Sequence, residues 1–218
     1  DGVDLDAAAD AIAGSILTNQ GQVCIAGSRL LVEKKIESIL IEKVVDRFKG
    51  IVMGDPLDPR TTYGPIATEQ QCNKVMAFIS RGREAGAEIV CGGNRVLQET
   101  GGFYIEPTIL KNVSPTADIA QQEIFGPVLS VMAFETEEQA IQLANNTIYG
   151  LVAYVWTANI LTGMRLAKAI NSSVLINAAA PTGEGASHAL SAEPFGQSGL
   201  GVEGGLAGLE SFLRRQTL

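Results

Sequence analysis

The chain has 218 residues, which is enough for one large domain with a substantial buried core. Hydrophobic residues make up 46% and charged residues 18%, as is ordinary for a globular protein. The formal net charge is −8, and binding of nucleic-acid phosphates requires clustered Lys and Arg. The acidic composition therefore argues against a nucleic-acid partner and mainly favours solubility.

The cysteine content indicates a reducing compartment, and the cytoplasm is the simplest location. Cys24, Cys72 and Cys91 form an odd and sparse set, unlike a disulfide framework. No apolar run is long enough to cross a bilayer, so we expect no membrane partner. The first residues lack the basic start and apolar stretch of a signal peptide. The chain begins with Asp1 rather than Met, which is expected of a processed product or a fragment.

Apolar spacing predicts alternating helices and strands in the first half of the chain. The predicted elements are a helix that follows Asp4 and ends at 17, a polar turn over 18–28, a strand over 29–33, a helix over 36–48, a proline-rich loop over 54–65, a helix over 68–85 and a strand ending at 91.

The second half continues the alternation of strands and helices. The predicted elements are a strand over 103–109 interrupted by Pro107, a turn over 123–127, a strand over 128–134, a helix over 137–145, a strand over 151–156, a helix over 161–170, a strand over 173–177, a long Gly/Ala/Ser/Pro-rich loop over 178–205 and a short helix over 206–213. This order predicts an α/β fold with a mainly parallel sheet covered by helices.

Cys24 is the first candidate for chemistry, because small and polar neighbours could expose and ionise its thiol. Composition alone favours an inert cysteine instead, as for Cys72 and Cys91. His188 is the only histidine, so a Cys24–His188 pair of a cysteine hydrolase is an alternative. No cysteine or histidine shows metal-ligand spacing, and we predict no metal site.

Two further motifs carry weak signals. Residues 199–204 match G-x-G-x-x-G, but neither a predicted strand nor a βαβ unit surrounds them, so we interpret these glycines as a turn. Residues 123–127 place Glu123 and Phe125 beside a rigid Gly-Pro turn. A carboxylate can accept two ribose hydroxyls and a ring can flank a heterocycle, but the motif taken alone favours a solvated Glu and a core Phe.

Several motifs in order resemble the aldehyde dehydrogenase superfamily and cover nearly the whole chain. They are residues 19–29 (NQGQVCIAGSR), 54–59 (GDPLDP), 64–65 (GP), 103–108 (FYIEPT), 123–128 (EIFGPV), 145–146 (NN), 149–151 (YGL), Asn177 and 194–196 (PFG). The first resembles the family's active-site cysteine motif, and 123–128 resembles its E-x-F-G-P signature. Residues 1–218 would then form the family's cysteine-bearing catalytic domain, with 178–205 as a long active-site or oligomer loop.

The resemblance implies specific roles. Cys24 would attack the aldehyde to give a thiohemiacetal and then a thioester, with NAD or NADP as hydride acceptor. Glu123 would hold the nicotinamide ribose, and Phe125 would lie near the nicotinamide. Lys74 would approach the adenosine ribose, and Phe195 would line the substrate channel. The family usually forms dimers or tetramers, so a homo-oligomer is expected.

The chain also departs from the family pattern. The cofactor domain, the general-base glutamate and the oxyanion asparagine of the family would lie upstream, so we expect the isolated chain to be inactive. About two positions, including a lysine, are absent near Gly196 and Gln197 relative to P-F-G-G-x-K-x-S-G. A CoA-acylating aldehyde dehydrogenase is an alternative within the superfamily, and a non-catalytic oligomerisation domain is an alternative of another class.

Overall fold

The structure, a computed structural model, describes residues 2–178, 191, 193–214 and 216. His188 and much of the predicted 178–205 loop lie outside the described residues, so the hydrolase alternative has no geometry to support it. Within the described ranges, no helix is long and apolar enough to cross a membrane.

Seven α-helices occur in the described part of the chain. They are α1 (Leu5–Leu17), α2 (Glu37–Lys49), α3 (Glu69–Glu84), α4 (Asp118–Gln121), α5 (Glu137–Asn145), α6 (Ile160–Ala169) and α7 (Gly205–Glu210). Asp4 caps α1, since its side chain accepts hydrogen bonds from the N–H groups of Asp6 and Ala7 at 3.0 Å.

The described residues also form ten β-strands. They are β1 (Arg29–Glu33), β2 (Glu88–Cys91), β3 (Arg95–Val96), β4 (Tyr104–Ile105), β5 (Thr108–Lys111), β6 (Val128–Phe134), β7 (Tyr149–Gly150), β8 (Val152–Val155), β9 (Ser173–Ile176) and β10 (Phe195–Gly196).

The predicted mainly parallel α/β fold is confirmed. The main sheet has the order β1-β6-β5-β2, in which β6 pairs in parallel with both β1 and β5, and only β2 is antiparallel. Strands β8 and β9 form a separate parallel pair, and β3–β4 and β7–β10 form two short antiparallel pairs. Strands β1 and β8 each have one edge without a partner strand among the described residues.

The core lies on both faces of the main sheet, because β5 and β6 are buried on both sides. Leu129 and Val131 of β6 pack against α1 and α2, while Val128 and Met132 pack against α3. Burial on both faces explains the continuous apolar sequence of β6, since a central parallel strand has no solvent-facing side.

Two side chains link the main sheet, through α5, to α6 and the β8–β9 pair. Arg29 of β1 donates to the carbonyl oxygens of Leu143 at 2.6 Å and Ala144 at 3.3 Å, at the C-terminal end of α5. Asn145 donates to Ala169 O at 2.8 Å and accepts from Asn171 N at 2.9 Å, which ties α5 to the end of α6.

The structure differs from the predicted elements in three places. The predicted strand 103–109 is split into β4 and β5, which join different sheets on either side of Pro107. The predicted 178–205 loop contains β10, in which Phe195 pairs with Gly150. The final helix is shorter than predicted. Two-residue strands are held by partners distant in sequence and leave no periodic signal.

We predict that Asp6 stabilises the α1–α2 contact only above a defined pH. Its carboxylate accepts from Lys43 Nζ at 2.8 Å and from Arg47 Nη2 at 2.9 Å. The hydrogen bond from Lys43 contributes most, and that from Arg47 adds to it, in lowering the pKa of Asp6 below its ordinary value of 3.8. A lowered pKa contributes stability above 3.8 that is lost as the pH falls through the folded-state value.

Urea unfolding of wild type and Asp6→Asn checks this prediction. Asp6→Asn should be the less stable protein at neutral pH, and the difference should vanish in acid and shrink with added salt. Glu138→Gln removes an exposed carboxylate of α5 and is the control. An Asp6→Asn effect that persists unchanged in strong acid would contradict the prediction.

Candidate active site

Cys24 lies in a tight turn between α1 and β1, and its side chain is exposed. The chain reaches this turn through three successive residues with left-handed backbone, Asn19 (φ 47), Gln20 (φ 55) and Gly21 (φ 68). The N–H of Ala26 donates to Val23 O at 3.0 Å and closes the turn around Cys24. The polar, glycine-containing segment predicted from the sequence is therefore an ordered turn that presents a thiol.

Gly21 brings the cysteine turn into direct contact with the 123–127 turn. A Cβ atom at position 21 would overlap the carbonyl oxygen of Gly126, and its φ of 68 is itself unfavourable for other residues. The backbones of the two motifs touch at this point. The structure thus brings together Cys24 and the segment that carries Glu123 and Phe125.

Helix α3 supports the 123–127 turn from the other side. Gln71 Nε2 donates to Ile124 O at 2.9 Å and to Phe125 O at 2.7 Å. Gly126 lies against Val75, where a Cβ would overlap the valine side chain. Phe125 is half-buried and has a left-handed backbone (φ 56), a conformation that this surrounding packing maintains.

Two hydroxyl groups, from α1 and β8, bind the backbone of the cysteine turn. Tyr154 of β8 donates to Ile25 O at 3.0 Å, and Ser15 of α1 accepts from Gly27 N at 2.7 Å. Burial, and to a smaller extent the nearby Cys24, raise the pKa of Tyr154 to about 12, so the phenol stays protonated and able to donate at neutral pH.

Cys24 and Glu123 line one cleft of about 740 Å³. One wall is β1, from Arg29 to Glu33, and another includes all of β8. Residues of α1, α5 and α6 complete the lining. Glu123 is exposed, so its carboxylate can meet a ligand in the space that the Cys24 thiol faces.

The other predicted site residues lie at the periphery of this arrangement. Lys74 is exposed on α3, directly before Val75, and its Nζ lies 5.9 Å from the centre of the Phe78 ring. Phe195 is 46% exposed on β10, and Gln197 and Ser198 just after it line the cleft. The roles of Cys24, Glu123, Phe125, Lys74 and Phe195 stay predictions.

The three thiols differ in their surroundings. Cys72 is fully buried on α3, and Cys91 is half-buried at the end of β2. Burial raises the pKa of both thiols, which lowers their reactivity. Cys24 is therefore the accessible thiol of the described residues. These residues contain no group of three or more His, Cys, Asp and Glu side chains that could hold a metal ion.

The G-x-G-x-x-G segment, interpreted from the sequence as a turn, is irregular backbone with bends that precedes α7. Gly199, Gly201 and Gly204 all have positive φ, and they lead only into the short helix α7. A dinucleotide fingerprint would follow a strand and open a βαβ unit, which this segment does not do.

Ser15, Gln71 and Tyr154 were not identified from the sequence. Ser15 gave a faint signal, as a polar residue next to the apolar stripe of α1. Gln71 and Tyr154 gave none, because their partners are 53 and 129 residues away.

Comparison with known proteins matches residues 1–218 to the aldehyde dehydrogenase family. An aldehyde dehydrogenase of Enchytraeus buchholzi is 37% identical over 99% of this chain and 42% of the relative. The crystal structure of an NAD-dependent aldehyde dehydrogenase from Sinorhizobium meliloti has a TM-score of 0.91 and 39% identity over 96% of this chain and 41% of that one. A betaine aldehyde dehydrogenase from Staphylococcus aureus in complex with NAD+ has a TM-score of 0.90 and 35% identity over 98% of this chain and 42% of that one.

This chain therefore spans about two fifths of the length of these relatives.

We predict that Gly21→Ala disrupts the contact between the two turns. The added Cβ meets the Gly126 carbonyl, and backbone atoms on both sides cannot move away cheaply. The cost in unfolding free energy should be about 2 kcal/mol or more. Chemical denaturation measures it.

Gly14→Ala is the matched control, because a Cβ there meets nothing within 4 Å in helix α1. It should be neutral or stabilising by roughly 0.5–1 kcal/mol. Equal stability of Gly21→Ala and wild type would show that the two turns do not touch as described.

Proposed function

Because the chain belongs to the aldehyde dehydrogenase family, we propose that it supplies the cysteine-bearing catalytic domain of an enzyme that oxidises an aldehyde to a carboxylic acid. The observation that carries the proposal is the exposed Cys24 thiol on a cleft that it shares with Glu123. The hydride acceptor is NAD, in keeping with the cofactor named for the similar structures.

Cys24 acts as the nucleophile. Its sulfur forms a bond to the carbonyl carbon of the aldehyde, and the carbonyl electron pair moves to oxygen as an alkoxide. The backbone N–H of Cys24 donates to this oxyanion, at a position fixed by the turn. When the alkoxide collapses, the carbon loses a hydride and becomes a thioester, which water then hydrolyses to the acid and free thiol.

The residues present fit a nicotinamide cofactor. Glu123 offers an exposed carboxylate on the cleft, and a carboxylate can accept both hydroxyls of a ribose. Phe125 lies two residues on, in the turn that Gly21 contacts. NAD, when bound, supplies the hydride acceptor. Lys74 and Phe195 are proposed to contact the adenosine ribose and the substrate, respectively.

The cleft also supports the proposal that a longer polypeptide completes the enzyme. Within the part of the chain that the structure describes, β1 and β8 both line it and each has an edge without a partner strand, while α1, α5 and α6 also contribute to its lining. Two strand edges with helices beside them form a space suited to one more strand, which would satisfy the free backbone groups. A general base and a second oxyanion donor would come from the same additional residues.

An exposed apolar surface supports self-association. Leu206, Leu209 and Phe212 at the end of the chain are 74%, 53% and 88% exposed, and Leu200 is fully exposed. Apolar side chains clustered at a surface commonly mark an interface. We propose a homo-oligomer on this basis, and a cytoplasmic location stays a prediction from the free cysteines.

Acyl transfer tests the nucleophile without the cofactor. With 4-nitrophenyl acetate, the Cys24 thiolate should displace nitrophenolate and carry the acetyl group as a thioester. Mass spectrometry of rapidly quenched peptides should find Cys24 acetylated at least about tenfold faster than Cys72 and Cys91, whose thiols are buried. Cys24→Ser is the control and should abolish the fast phase.

If Cys24 is acetylated no faster than Cys91, both in the 218-residue chain and in a chain extended upstream, Cys24 is not the nucleophile.

We predict that the 218-residue chain alone produces no steady NADH from aldehydes. Its relatives are more than twice as long, and the general base and most of the cofactor site would lie in the additional residues. Absorbance at the nicotinamide band, with propanal or betaine aldehyde as substrate, measures turnover. Sustained NADH formation that Cys24→Ser eliminates would refute the need for further residues.

A further inference from the structure

We propose that Ser15 and Tyr154 are positioning residues, whose hydroxyl groups hold the Cys24 turn in the conformation that acyl transfer needs. The inference deepens the proposed function and rests on Cys24 being the nucleophile. It concerns two residues outside the motif around Cys24, namely Ser15 on the preceding helix and Tyr154 on a strand much later in the chain.

Tyr154 fixes the backbone immediately after Cys24. Its hydroxyl donates to Ile25 O at 3.0 Å, from a strand 129 residues later in the chain. Its ring also lies beside Gly27, where an added Cβ would be 3.7 Å from Cδ2. The peptide group between Ile25 and Ala26, one residue beyond Cys24, is thus held through its carbonyl oxygen.

Ser15 fixes the same turn two residues further along the chain, at Gly27. It is 6% exposed on α1, and its hydroxyl accepts from Gly27 N at 2.7 Å. Among the described residues, the backbone bonds inside residues 23–28 run from Ala26 N to Val23 O at 3.0 Å and from Ser28 N to Ala26 O at 2.8 Å. The two hydroxyl contacts therefore come from separate elements, α1 and β8, and restrain a segment that would otherwise have few constraints.

The chemistry explains why this restraint matters. Attack on a carbonyl is efficient only when the sulfur and the N–H donor for the oxyanion are held together in the correct geometry. Alkylation of a thiolate needs no oxyanion donor and is much less sensitive to the backbone. Accessibility and ionisation of the thiol affect both rates and cancel in their ratio. The ratio of the acylation rate to the alkylation rate at Cys24 consequently reports the turn geometry.

The experiment compares Tyr154→Phe and Ser15→Ala with wild type in the 218-residue chain. Both changes delete a hydroxyl and keep most of the packing volume. Tyr104→Phe is the matched control, since its phenol donates to a backbone carbonyl, Gly54 O, at 2.9 Å in another layer. Acylation uses 4-nitrophenyl acetate, alkylation uses iodoacetamide, and amide hydrogen exchange is followed over residues 24–28.

In both variants the acylation-to-alkylation ratio at Cys24 should fall about threefold to tenfold, the loss expected for one hydrogen bond. Exchange over residues 24–28 should accelerate, while Tyr104→Phe changes neither quantity. Thermal unfolding identifies any variant that fails to fold. The positioning role is then judged from the other variant alone.

The outcomes separate the two proposals. If neither the ratio nor the exchange changes in the folded variants, the positioning role is overturned, whatever Cys24 does in wild type. If exchange accelerates but wild-type Cys24 acylates no faster than Cys91, the turn is positioned as inferred and the nucleophilic role fails.

Discussion

The backbone contact between Gly21 and Gly126 is the constraint on which the candidate site depends. It joins a turn entered from α1 to a turn supported by α3, although about a hundred residues separate them. Neither glycine tolerates a side chain, because Gly21 meets a carbonyl oxygen and Gly126 meets Val75. The position of the Cys24 thiol relative to Glu123 follows from this contact, so a single close approach sets the geometry of the cleft.

The sequence predicts the scaffold well, because burial imposes strong periodic patterns. The bounds of β1 and β6 agree with prediction, since β6 is apolar on both faces and Arg29–Glu33 follows a polar turn. Helix α1 was predicted from its apolar stripe and the Asp4 cap. Strand β3 and the pair β7–β10 are not predictable in this way, since strands of two residues contain no pattern and exist through their partners.

The candidate site was only partly predictable, and for a physical reason. Cys24 and Glu123 were found through motifs, and the structure adds that they face one cleft. Tyr154 and Ser15 act through single hydroxyl groups that reach distant backbone atoms. Such contacts depend on tertiary distances alone, and a tyrosine in a strand looks the same whether or not its hydroxyl meets the Cys24 turn.

The edges of β1 and β8 that lack a partner strand among the described residues have a consequence for the association of chains in solution. Each edge offers a row of free N–H and C=O groups beside apolar side chains, and such edges act as templates for strands of other molecules. Edge-to-edge pairing between copies is concentration-dependent and competes with the native cleft. Solubility at high concentration thus depends more on whether another strand pairs with these two edges than on the net charge of −8.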